Sequence, residues 1–135
     1  MFVQVIYLSK YDWYVTILYE YNIDNPEDNI FQHLIDTHQI PISIQSKIYY
    51  NLKDTHNTAI TYSNVDSSKS IMLLGRHTSS SEIYSSLNHE LYHVVTHICK
   101  SFNIKEDSEE AAYLMGYLTK RTLKFVKKYI CNTCN

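Results

Sequence analysis

The chain has 135 residues, with 12 basic and 14 acidic side chains and a formal net charge of −2. That balance excludes an electrostatically driven nucleic-acid binder. Apolar residues at 44% and charged residues at 19% are globular proportions, and two glycines with two prolines exclude collagen-like and linker-like chains. The length suits a single domain, 1–135, read as an N-terminal β/α portion (1–56), a core (57–128) and a tail (129–135). No run approaches the ~18–20 apolar residues that spanning a bilayer requires, so no membrane is expected as a partner. Met1–Leu8 has neither a basic n-region nor a small-residue cleavage site, which predicts a strand rather than a secretory leader. Cys99, Cys131 and Cys134 are too few and too clustered for a disulfide framework, which points to synthesis in a reducing cytoplasm.

In chain order, Phe2–Leu8 and Trp13–Tyr19 are β-branched and aromatic runs split by a polar four-residue turn, an antiparallel pair. Asn25-Pro26-Glu27-Asp28 reads as a helix start, with Asn as cap and Pro in the first position, and a helix to about His38. Ile42–Leu52 fits strand or helix equally. Ala59–Ser63 and Ser70–Leu74 flank the polar turn Asn64–Ser68, a hairpin. Ser79 with Glu82 three residues on forms a capping box that opens a helix to about Phe102. After a break at Asn103, a second cap near Asp107 or Ser108 opens a helix to about Tyr129. The lysines and arginine at 120–128 suit the negative pole of that helix. The expected class is α+β, a small antiparallel sheet with two packed C-terminal helices.

The first of those helices carries His89-Glu90-Leu91-Tyr92-His93, an HExxH sequence. Residues four apart lie one turn apart on one face, so two imidazoles can converge on one Zn²⁺ at about 2.0–2.1 Å. Glu90 stands about 100° round the helix, where it can reach a water on the metal rather than the metal. With His89 at zero, His93 falls near 40°, whereas Leu87, Leu91, Val94 and Ile98 gather at about 140–200°. The apolar arc can therefore enter the core while the histidines face a cleft.

A catalytic zinc takes a third protein ligand. His97 continues the ladder but stands about 12 Å of helix rise from His89, too far to share one ion. Cys99 holds the offset of a third ligand in metzincins, yet the turn-forming glycine that family needs is replaced by Thr96. The remaining candidates are Glu109 and Glu110, in the first turn of the next helix, which a short turn could return to the metal.

The segment Asn88–His93, followed by Asp107-Ser108-Glu109-Glu110-Ala111-Ala112-Tyr113-Leu114-Met115-Gly116-Tyr117-Leu118, resembles small zincin-like metallopeptidases of gluzincin type. These include the ImmA/IrrE-type regulatory peptidases and short zincins encoded by bacteriophages. The resemblance covers about residues 57–125. It implies Glu109 as third zinc ligand with Glu110 as runner-up, and Glu90 as general base for peptide-bond hydrolysis through a metal-bound water. It also implies an edge strand above the metal, Ser70-Ile71-Met72-Leu73-Leu74, to which an extended peptide or protein substrate would add. Arg76, His77, Tyr113 and Tyr117 are the candidates for stabilising an oxyanion. The alternative expectation is a structural or interaction component of a larger, phage virion-type assembly that uses the fold with little or no turnover. Cys131–Cys134 has CxxC spacing, but a ribbon needs a second pair, and an inert tail is the simpler expectation.

Overall fold

The computed structural model describes residues 2–21, 38–53 and 59–130. Its strands are β1 (Phe2–Leu8), β2 (Trp13–Tyr19), β3 (Ala59–Asn64) and β4 (Lys69–Leu74). Its helices are α1 (Ile42–Lys53), α2 (Ser80–Ser101) and α3 (Glu109–Phe125), the last running on into a π-helical stretch, Val126–Ile130. The class is α+β. The helix expected from Asn25 falls on residues 22–37, outside the described ones, and so does the Cys131–Cys134 tail.

The sheet order is β1-β2-β4-β3. β1 pairs antiparallel with β2 and β3 with β4, but β2 and β4 run parallel, so the sheet is mixed rather than antiparallel as expected. Both hairpins are local and legible in sequence; the parallel join between them is a long-range pairing that no turn signal specifies. A second correction follows. Ser70–Leu74 is not an edge strand, because β4 is bonded to β2 on one side and β3 on the other. β3 is the edge on that side of the described sheet.

Alternation sorts the strands between two cores. Ile6, Leu8, Trp13, Val15, Ile17, Tyr19, Met72 and Leu74 face α2 and α3, where Leu87, Leu91, Val94, Ile98, Leu114 and Leu118 meet them. Leu18, Ile71 and Leu73 face the other way, against Ile44 and Ile48 of α1. The sheet thus has helices on both faces. Each large side chain so buried contributes about 1.5–3 kcal/mol from apolar area. The ambiguous segment at 42–52 is helical because Ile44 and Ile48, one turn apart, give it a face that fits the sheet.

Local signals set the ends of α2 and α3. The Ser79 hydroxyl accepts from the Glu82 amide, and the Ser108 hydroxyl accepts from the Ala111 amide. At the far end of α2, Asn103 takes a left-handed conformation (φ 55°) and the Ile104 amide reaches back to the Cys99 carbonyl at 2.8 Å. This is a Schellman closure with asparagine in the position where glycine is commonest. No described helix is long and apolar enough to cross a membrane.

Candidate metal centre

α2 lies with its apolar arc on the sheet: Leu87, Leu91, Val94 and Ile98 are all at most 1% exposed. The same helical phase turns His89 and His93 outward. Their Nε2 atoms stand 3.2 Å apart, with the rings edge-on at a centroid distance of 4.9 Å. Two nitrogens bound to one tetrahedral ion at 2.0–2.1 Å would be about 3.3–3.4 Å apart. The two imidazoles are therefore already spaced as one edge of such a coordination shell. A carboxylate oxygen of Glu90 completes a group whose three ligand atoms lie within 4.8 Å of one another.

Glu90 differs from the two histidines in being buried, at 6% exposure. A buried carboxylate needs a donor. The donor is Thr61 of β3, whose hydroxyl bonds the Glu90 Oε2 at 2.6 Å. Two residues further along the same face of β3, Ser63 bonds His97 Nδ1 at 2.6 Å and Ser70 Oγ at 2.7 Å, and the Trp13 indole N–H donates to Ser70 at 2.8 Å. An indole can only donate. The hydroxyls of Ser70 and Ser63 carry the chain on to a neutral His97, with either partner of each of these two bonds able to donate. Burial, then the neighbouring His93 and Lys100, pushes the His97 pKa down and favours that neutral form. His97 stacks on His93 at 6.4 Å but is no member of the three-residue group.

The acid pair of α3 goes elsewhere. Neither Glu109 nor Glu110 joins the histidines. Glu110 Oε1 pairs with Lys10 at 2.8 Å and accepts from the Tyr11 hydroxyl at 2.9 Å. Tyr11 in turn packs against Phe102, ring centroids 5.3 Å apart. Phe102 follows His93 by nine residues, about 13 Å of helix rise. The start of α3 is thus fastened to the β1–β2 turn and the far end of α2, and the expected third ligand is corrected on that ground. Of the oxyanion candidates, Tyr113 and Tyr117 line a cavity beside Glu109 and Glu110, whereas His77 lines a different one with Glu20, Ser79 and Ile83. Thr61, Ser63 and Trp13 carried no sequence signal as site residues; Thr61 and Ser63 share a face of a strand, but nothing in the sequence fixes that face against α2.

No protein-family model matches the chain, and no curated protein or solved structure is significantly similar to it.

Proposed function

We propose that the protein is a zinc-dependent peptide hydrolase, with His89 and His93 as metal ligands and Glu90 as the proton-transferring group. The observation that carries this reading is the 3.2 Å approach of two outward-facing Nε2 atoms beside a buried carboxylate. The helix with its neighbouring edge strand supports the further reading that the fold is zincin-like. Zinc, when bound, would supply a Lewis acid that polarises a carbonyl and lowers the pKa of a water to about 7.

The chain's own residues account for the rest. The outer edge of β3 can pair with an extended peptide through backbone hydrogen bonds and so hold a scissile bond beside α2. Thr61 holds Glu90 through Oε2 and leaves Oε1 to accept a proton from the attacking water. Glu90 then returns that proton to the departing amine. The buried chain from Trp13 to His97 keeps β3 and α2 in register while this occurs.

A second reading is favoured by the proximity of the Glu90 oxygen to both nitrogens: Glu90 is itself a ligand, and the centre is structural, without turnover. One variant separates them. Glu90→Gln should retain zinc, measured per chain after dialysis, and lose cleavage of a peptide library by about 10²–10⁴-fold. Loss of the metal in Glu90→Gln would establish the second reading, and a wild-type protein that holds no zinc would end both.

A further inference from the structure

A cavity of about 550 Å³ opens between the β1–β2 turn and the first two turns of α3. That volume is in the range of sites that take small organic groups. It shares no residue with the metal group, and no residue of α2 lines it.

Its walls are unusual in composition. Tyr7, Tyr11, Tyr113 and Tyr117 line it, with Leu8 and Leu114 between them. Three of its lining residues are charged: Lys10, Glu109 and Glu110. Lys10 is paired with Glu110, which leaves one charged group of the lining outside any ion pair among the described residues. That group is Glu109. Tyr113 stands four residues along α3 from Glu109, one turn away on the same face. Its side chain is 76% exposed. Aromatic faces are electronegative and attract cations. Two rings here already do so within the chain: Lys10 lies 5.7 Å from the Tyr11 ring centre, and Arg121 lies 5.7 Å from that of Tyr117 while donating to its hydroxyl. The Glu109–Tyr113 pair offers the same chemistry and meets no cation among the described residues.

We propose that this cavity is a binding site for a basic peptide side chain. The ammonium or guanidinium head sits between the Glu109 carboxylate and the Tyr113 ring, and its apolar stem lies along Leu114 and Tyr11. An acidic ligand would meet an unpaired carboxylate, and a purely apolar one would leave that carboxylate covered and unsatisfied. This site does not depend on the metal centre.

The test is a chemical-shift titration of metal-free Glu90→Gln protein, so that neither cleavage nor zinc can contribute. The probes are the N-acetyl methylamides of lysine, arginine, norleucine and glutamate. The two cationic probes should saturate, with shifts confined to residues 8–11 and 109–117, and bind about 5-fold or more tightly than norleucine. Glu109→Gln and Tyr113→Ala should each weaken them about 3-fold, and added salt should weaken them further. Both substitutions fall on exposed helix positions, and unchanged thermal unfolding will confirm that they fold. Equal binding of norleucine, preference for glutamate, shifts located elsewhere, or no binding by any probe would each overturn the proposal.

Discussion

The outward face of α2 and the first turn of α3 each gather titratable side chains within one helical turn, and the structure treats them in opposite ways. On α2, the His89 and His93 Nε2 atoms approach to 3.2 Å, and neither imidazole has an ion-pair partner among the described residues. On α3, Glu110 is met by a lysine and a tyrosine from the β1–β2 turn. The first arrangement offers three ligand atoms within 4.8 Å of one another that a cation from solution can occupy. The second is closed at Glu110 by the chain itself, which fastens a hairpin to a helix and leaves only Glu109 beside it outside an ion pair. Spacing along a helix is common to both; what separates a site from a strut is whether the fold supplies the partner.

The sharpest way to break that contrast is to remove one member from each region and measure metal. His93→Ala should abolish zinc retention and with it all cleavage. Glu109→Ala should leave zinc retention unchanged. If Glu109→Ala loses the metal as well, the two regions form one site and the contrast fails.

Why the histidines were legible and the acids were not follows from the distance over which each depends. Four residues of helix fix His89 against His93, and the apolar phase of Leu87, Leu91, Val94 and Ile98 fixes which way they face. Both facts are local. Placing Glu109 requires the path from Phe102 to Ser108 and the docking of Tyr11, which joins residues 99 apart in the chain to Glu110. The strands were legible by the same rule, as two hairpins with polar turns. Their parallel join, which makes β4 interior and β3 the edge, depends on the register of Val15 with Ser70, which no local pattern encodes. The serine, threonine and tryptophan beneath α2 were equally silent, since their roles come from that register.

Next in size is the buried chain under α2. Ser70→Ala removes the acceptor of the Trp13 indole, and both residues are fully buried. Leaving that donor unpaired should cost about 1–3 kcal/mol, read as a lower urea midpoint with an unchanged slope. A corresponding loss on the α3 side, from Lys10→Met, should leave the midpoint almost unmoved because a surface pair contributes little. Equal losses would mean that the two regions are not differently built.

Thr61→Val tests whether Glu90 is held by its neighbour strand. The hydroxyl is replaced by a methyl of similar shape, so the fold should persist while the carboxylate loses its donor. A loss of about 1 kcal/mol in transition-state stabilisation, about 5-fold in kcat/KM, is expected with zinc content unchanged. Thr61→Ser, which restores a donor, should recover most of it.

The smallest effects are in pH, where the two regions should separate into two windows. Burial lowers the His97 pKa below its ordinary 6.5, and burial does the same at His77. An imidazole that resists protonation in the fold favours unfolding once the unfolded chain begins to bind protons. Its contribution is therefore whole above about pH 6.5 and is lost as pH falls from there through the folded pKa. The Glu110 carboxyl is held below its ordinary 4.5 by hydrogen bonds first from Lys10 and then from Tyr11, and Glu82 is lowered by the Thr78 hydroxyl and amide. Their contribution is whole above about 4.5 and is lost only as pH falls further, through their folded pKa values. Unfolding of the metal-free protein followed across pH should show a first decline from 6.5 and a second below 4.5. His97→Gln should shrink the first and spare the second, while Lys10→Met should do the reverse, more weakly and less so in high salt. A single decline altered equally by both variants would show that the imidazole chain and the lysine–glutamate pair titrate as one unit.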